Sequence, residues 1–142
     1  MSGERLPEFL DTNVLVYAHD SSAGAKHRRA LELLADLAAR EVGALSVQVL
    51  QEFFVTVTRK VPRPLPAATA AGIVADLAVL PTHVPRAADV VAAIDLHERW
   101  RVSFWDAMII RSALSLGCAW IWSEDLAAGQ AYDGVTVRNP FA

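Results

Sequence analysis

The chain has 142 residues, 54% of them apolar, with a formal charge of −3. That length predicts one domain, residues 1–142, large enough to bury roughly 70% of its unfolded surface without staples. One cysteine, Cys118, excludes an internal disulfide and a cysteine-cluster zinc site, the polar start Met1-Ser2-Gly3-Glu4-Arg5 is unlike a signal peptide, and no apolar run has the roughly 18 residues of a membrane span.

Glu8-Phe9-Leu10 reads as a short strand ending at Asp11, after which Thr12 or Asn13 caps a helix through Val14-Leu15-Val16-Tyr17. Residues 25–40 predict an amphipathic helix with Leu31, Leu34, Ala35 and Ala38 on its apolar side. Gly43-Ala44-Leu45 is a second strand. Ser46 then caps a helix carrying Val49, Leu50, Phe53, Phe54 and Val57 up to Pro62. A three-proline loop over 62–66 leads to an alanine-rich helix over 67–80, which Pro81 stops. Thr82-His83-Val84 is a short extended piece. A helix over 86–100 follows, with Val90, Val91, Ala93 and Ile94 as its apolar stripe. Ser103 opens another helix, which runs to Gly117 at C′. Cys118 to Trp122 is a nearly continuous apolar run, as in a strand covered on both faces, and Val135-Thr136-Val137 is a last strand. Short buried strands alternating with longer helices predict an α/β fold, a parallel sheet with helices on both faces. The apolar surplus over ordinary soluble domains points to an exposed apolar face that a partner chain would cover.

Four acids stand at the ends of these elements: Asp11, Glu52, Asp106 and Asp125. Asp11 ends the first strand and Asp125 lies just past Trp122, so both fall at the carboxyl edge of the sheet, where open α/β sheets hold ligands. Four acids converging there would repel each other unless a cation sat between them, which points to a divalent metal and phosphodiester hydrolysis. Each acid also has an architectural reading. Asp11 serves as an N-cap, and Glu52 as a boundary residue whose stem packs. Asp106 forms a Ser-x-x-Asp capping box with Ser103, and Asp125 closes the polar turn Ser123-Glu124-Asp125, with Glu124 facing solvent.

The net negative charge argues against strong non-specific nucleic-acid binding, although Lys26-His27-Arg28-Arg29 and Arg59-Lys60 with Arg63 form local basic clusters. Arg28, Arg29 and Arg111 are candidates for phosphate contacts, and Arg111 also reads as a plain surface residue. Trp105 is open to two readings, a base-stacking ring or a core or dimer-packing side chain. The four histidines, His19, His27, His83 and His97, show no metal-ligand spacing and read as surface or boundary residues.

The chain resembles the PIN-domain family and, within it, the VapC-type toxins of toxin–antitoxin pairs. The matching stretches are Phe9-Leu10-Asp11-Thr12-Asn13-Val14-Leu15, Leu45 to Phe53, Ser103-Phe104-Trp105-Asp106-Ala107, Ser123-Glu124-Asp125-Leu126 and Val135 to Phe141. The resemblance implies a three-layer α/β/α fold with a short central parallel sheet. It implies a divalent-metal-dependent endoribonuclease whose acidic pocket is Asp11, Glu52, Asp106 and Asp125, with Asn13 and Ser123 as polar supports. Of these, Asp11, Asp106 and Asp125 are the expected Mg²⁺ or Mn²⁺ ligands. The partners it implies are RNA (possibly a transfer or ribosomal RNA), a small cognate antitoxin and a second copy of the chain, in the cytoplasm and away from membranes. Two rivals stay open. One is a PIN-like module that holds a partner's basic tail without turnover. The other is a metal-dependent DNA nuclease or phosphatase.

Overall fold

The computed structural model describes residues 5–142, so the polar start at Met1 to Glu4 lies outside the described residues. The elements run β1 (Glu8–Leu10), α1 (Thr12–Ala18), α2 (Ala25–Arg40), β2 (Gly43–Ser46), α3 (Val47–Arg59), α4 (Ala67–Leu77), β3 (Thr82–His83), α5 (Ala87–Trp100), α6 (Phe104–Ser115), β4 (Trp120–Trp122), β5 (Ala131–Tyr132) and β6 (Val135–Arg138). A 3-10 turn at Ser21–Ala23 joins α1 to α2. The sheet order is β3-β2-β1-β4-β6-β5. Every pairing is parallel except that of β5 with β6, so the sheet is mixed at one edge rather than parallel throughout. The cause is local. Asp133 and Gly134 both take positive φ, 50° and 103°, and make a two-residue turn of the kind that closes a tight hairpin.

Strand residues Phe9, Leu10, Leu45, Ile121 and Val137 are almost wholly buried against Leu15, Leu33, Phe53 and Ile110 from the helices. Each such side chain contributes about 1.5–3 kcal/mol on burial. Ser46 and Ser103 cap α3 and α6 as expected, their hydroxyls accepting from Val49 N (3.3 Å) and Asp106 N (3.0 Å). The cap of α1 is Asp11 and not Thr12 or Asn13: the helix starts straight off the strand, and Asp11 is the last extended residue, with its carboxylate accepting from Thr12 N. Helix α4 stops at Leu77 and not at residue 80.

Two helices turn a different side to the core than their sequence suggests. On α2 the buried residues are Ala30, Leu33 and Leu37, while Leu31, Ala35 and Ala38 are exposed and Leu34 is half-buried. The helix is apolar over more than half its circumference, so its pattern marks a period but not a phase. On α5, Val90, Val91 and Ile94 are exposed, and Asp89, Ala93 and Leu96 are buried. A buried aspartate held by hydrogen bonds has replaced a valine as the inward residue. The three outward side chains, together with Phe54 and Val55 on α3, form the exposed apolar surface anticipated from composition.

Candidate functional site

The strand order runs from β2 across β1 to β4, so the crevice where α/β sheets hold ligands opens at the carboxyl ends of β1 and β4. Asp11 sits there. Its N–H donates to Trp122 O (3.0 Å), which ties the ends of the two strands together. Its carboxylate is buried and accepts on one oxygen from Thr12 N (2.8 Å) and on the other from the Ser123 hydroxyl (2.7 Å). Ser123 is fully buried, and its oxygen in turn accepts from Asp125 N (3.1 Å) and Leu126 N (3.2 Å). One hydroxyl therefore places both Asp11 and the turn that carries Asp125.

Glu52 enters from α3. One of its oxygens accepts from Thr12 Oγ1 (2.6 Å) and the other from Gln48 Nε2 (3.1 Å). Gln48 Nε2 also donates to Trp105 O (3.2 Å), which pins α3 to the first turn of α6, where Asp106 stands. Thr12 and Gln48 escape the sequence reading. Their signals are faint: Thr12 is the residue after an acid, and Gln48 lies one helical turn before Glu52. Asn13 Oδ1 accepts from Glu124 N (3.4 Å), and its buried Nδ2 has no hydrogen-bond partner.

The electrostatics show which acids share a neighbourhood. Burial pushes the Asp11 carboxyl up to about 6, the Ser123 and Thr12 hydrogen bonds pull the other way, and the charges of Asp125 and Glu52 add to the rise. Asp106 is also pushed up, first by burial and then by Asp125 and Glu52. Among the described residues none of the four acids has an ion-pair partner. Thr12, Asn13, Glu52, Thr56, Lys60 and Asp125 line part of a cleft of about 450 Å³.

The donor chemistry fits a hard divalent cation: only oxygens, no basic neighbour, and a buried carboxyl whose ionisation the added positive charge would favour. Asp11 keeps acceptor capacity beyond its two hydrogen bonds, because an ionised carboxylate offers about four lone-pair sites. In their present rotamers, however, no three of the described His, Cys, Asp or Glu side chains stand close enough to hold an ion. The acids border the cleft without meeting in it.

Other expectations need correcting. Glu124 does not face solvent: it accepts from Tyr17 Oη (2.7 Å) and pairs with Lys26, whose ammonium lies 5.1 Å from the Tyr17 ring centroid. Arg111 is neither a phosphate contact nor a plain surface residue, because its Nε donates to the buried Asp89 (2.8 Å). Arg29 is engaged with Pro140 O (2.9 Å), and Arg28 remains exposed. Trp105 is 62% exposed, which removes the core reading. The four histidines are half-buried boundary residues, as expected.

The PIN-domain model matches residues 9–132, from Phe9 in β1 to Tyr132 in β5, a span that holds all four acids. The chain belongs to the PIN-domain family. PIN domains are a family of nucleases. Among solved structures, the chain is similar to VapC20 from Mycobacterium tuberculosis, a Sarcin-Ricin loop cleaving toxin (TM-score 0.64, 20% identity, 83% of this chain and 89% of that one). It is also similar to a toxin–antitoxin complex from Klebsiella pneumoniae (TM-score 0.69, 17% identity, 94% and 98% covered). A third is VapBC2 from Rickettsia felis bound to a DNA fragment from their promoter (TM-score 0.66, 19% identity, 94% and 98% covered). At these identities the likeness establishes the PIN fold, a three-layer α/β/α arrangement with a mostly parallel sheet. No curated protein matches the chain. Among the described residues no helix is long and apolar enough to cross a membrane.

Proposed function

We propose that this PIN domain is a divalent-metal-dependent endoribonuclease, the toxin of a toxin–antitoxin pair. The observation that carries the proposal is the cleft itself. Four carboxylates from separate elements share one electrostatic neighbourhood with no cation beside them, and the most buried of them is pushed up to about 6. Asp11, Asp106 and Asp125 would hold Mg²⁺ or Mn²⁺, which when bound supplies a water of lowered pKa and charge stabilisation at the phosphate. Glu52, with Thr12 and Gln48 holding both its oxygens, orients the attacking water and takes its proton. Ser123 keeps Asp11 turned into the cleft, and Asn13 supports the turn that carries Asp125. The water oxygen bonds to phosphorus, the bond from phosphorus to the 3′ oxygen breaks, and that oxygen leaves protonated. The products are a 5′-phosphate and a 3′-hydroxyl.

The toxin assignment extends to this chain what similar structures are: one a cleaving toxin, others toxin–antitoxin complexes. On that reading the partners are a small cognate antitoxin and a second copy of the chain, and the substrate is a transfer or ribosomal RNA. The test is cleavage of total RNA by the purified chain with Mg²⁺, with Mn²⁺ and with chelator, alongside Asp11→Asn. Metal-dependent fragments with 5′-phosphate ends, absent in the variant, are expected. A folded protein that cuts RNA under no metal would sink the nuclease and favour a module that binds without turnover.

A further inference from the structure

Gln48, Glu52, Thr56 and Lys60 follow one another at intervals of four residues. They therefore form a stripe along about 18 Å on one side of α3. Glu52, Thr56 and Lys60 face the acid cleft together with Asp125. At the Gln48 end stands Trp105, its carbonyl held by Gln48 Nε2. Its indole is 62% exposed and is buttressed edge-on by Phe104, with ring centroids 5.0 Å apart. At the other end Lys60 is exposed and, among the described residues, has no ion-pair partner, whereas the chain's other lysine, Lys26, is taken up by Glu124. The stripe thus offers a flat apolar ring at one end and a free ammonium at the other, with the acids along the way. These are the two surfaces a single strand of nucleic acid can use at once, since its unstacked bases offer π faces and its backbone offers phosphates. A duplex keeps its base faces stacked and has nothing for the indole.

We propose that Trp105 and Lys60 mark the two ends of a track for single-stranded RNA. The indole stacks on an unpaired base, the ammonium holds a backbone phosphate, and the scissile bond lies between them over the acids. The proposal rests on the nuclease reading and adds the substrate class and two binding residues.

The experiment is an anisotropy titration of a labelled, unstructured RNA oligomer with the full chain in chelator, repeated over a range of salt, beside cleavage assays in Mg²⁺. Trp105→Ala is expected to weaken binding roughly 5- to 150-fold, with Trp105→Phe recovering most of the loss. Lys60→Ala is expected to weaken binding and to flatten the slope of log affinity against log salt by about 0.7, with Lys60→Arg keeping the parental slope. Annealing the oligomer to its complement is expected to erase the difference between parent and Trp105→Ala. Melting temperatures matching the parent's confirm that both exposed sites leave the fold intact. Parental affinity in both alanine variants, while the parent itself binds and cuts, overturns the track and leaves the nuclease standing. A parent that neither binds nor cuts RNA overturns both. A change of oligomeric state in Trp105→Ala with unchanged RNA affinity assigns the indole to an interface between copies and overturns its place in the track.

Discussion

Asp11 and Asp89 are buried to the same degree, 5% and 7% exposed, yet their surroundings drive them in opposite directions. Asp89, on α5, accepts from Arg86 N and Arg111 Nε, each at 2.8 Å, and His83 Nε2 lies 3.5 Å away. The Arg86 N–H and then the Arg111 guanidinium hold its carboxyl below the usual carboxylate range. His83 Nδ1 meets Ser112 Oγ at 2.8 Å, so the cluster joins β3, α5 and α6. Asp11 has hydrogen-bond donors but no cation, and its neighbours Asp125 and Glu52 carry its own sign. The protein completes one buried aspartate as a joint between elements. It leaves the other short of positive charge at the mouth of a cleft. Burial alone therefore does not mark a functional acid; the sign of its neighbours does.

The largest expected effect falls on the acid cleft. Asp11→Asn keeps the shape and removes a proposed metal ligand. Loss of an outer-shell partner at a metal site costs roughly 10–100-fold in activity, so the change is expected to lower RNA cleavage by more than about a hundredfold, read from initial rates in Mg²⁺. A variant cutting at the parental rate would take Asp11 out of the active site.

Next comes the stability of the metal-free protein. Because the folded carboxyl of Asp11 titrates near 6 rather than 3.8, its stabilising contribution is complete below about 3.8 and is lost as pH rises through about 6. Asp11→Asn in chelator is thus expected to be more stable than the parent at pH 7.5, by at most about 3 kcal/mol, with the gap closing toward pH 4. Mg²⁺ should raise the parent's melting temperature and leave the variant's unmoved. Melting curves that respond alike to pH and metal would show that Asp11 carries no unmet charge.

Asp89 should behave in the opposite way. Its carboxyl is depressed, so its contribution is present above the ordinary carboxylate value and lost as pH falls through the lowered one. Asp89→Ala leaves Arg111 and the Arg86 N–H without their acceptor and is expected to cost about 1.5–3 kcal/mol, measured by urea unfolding, while the folded variant still cuts RNA. Loss of cleavage without loss of stability would make Asp89 more than a joint. The smallest effect belongs to Ser123→Ala, which leaves Asp11 in place but unsteered. Cleavage is expected to fall about tenfold, as for the loss of an outer-shell partner. An unchanged rate would mean that Thr12 N alone orients Asp11.

Much of the site is legible one residue at a time. Asp11, Glu52, Asp106 and Asp125 stand at ends of elements that caps and apolar runs define locally, and Ser46 and Ser103 cap their helices where a Ser before an apolar run says they should. The Asp133-Gly134 pair is a hairpin signal in plain view, and with it the antiparallel β5 becomes legible too. The phases of α2 and α5 are not legible, because apolar side chains surround much of α2 and the inward place on α5 goes to a charged residue.

By itself, then, the sequence determined the alternation of short strands and helices, the acids at their ends and the family they announce. These depend on φ preferences, caps and periodicities that act within a turn or two of chain. Tertiary structure alone decided which acids stay unpaired. Ser123 reaches Asp11 across 112 residues, Thr12 reaches Glu52 across 40, and Tyr17 and Lys26 take up Glu124 across 107 and 98. Glu124 and Asp125 are neighbours in sequence, yet one is paired and the other has no ion-pair partner among the described residues. A carboxylate's charge balance depends on whatever the fold brings within a few ångströms of it, and no local pattern encodes those distances.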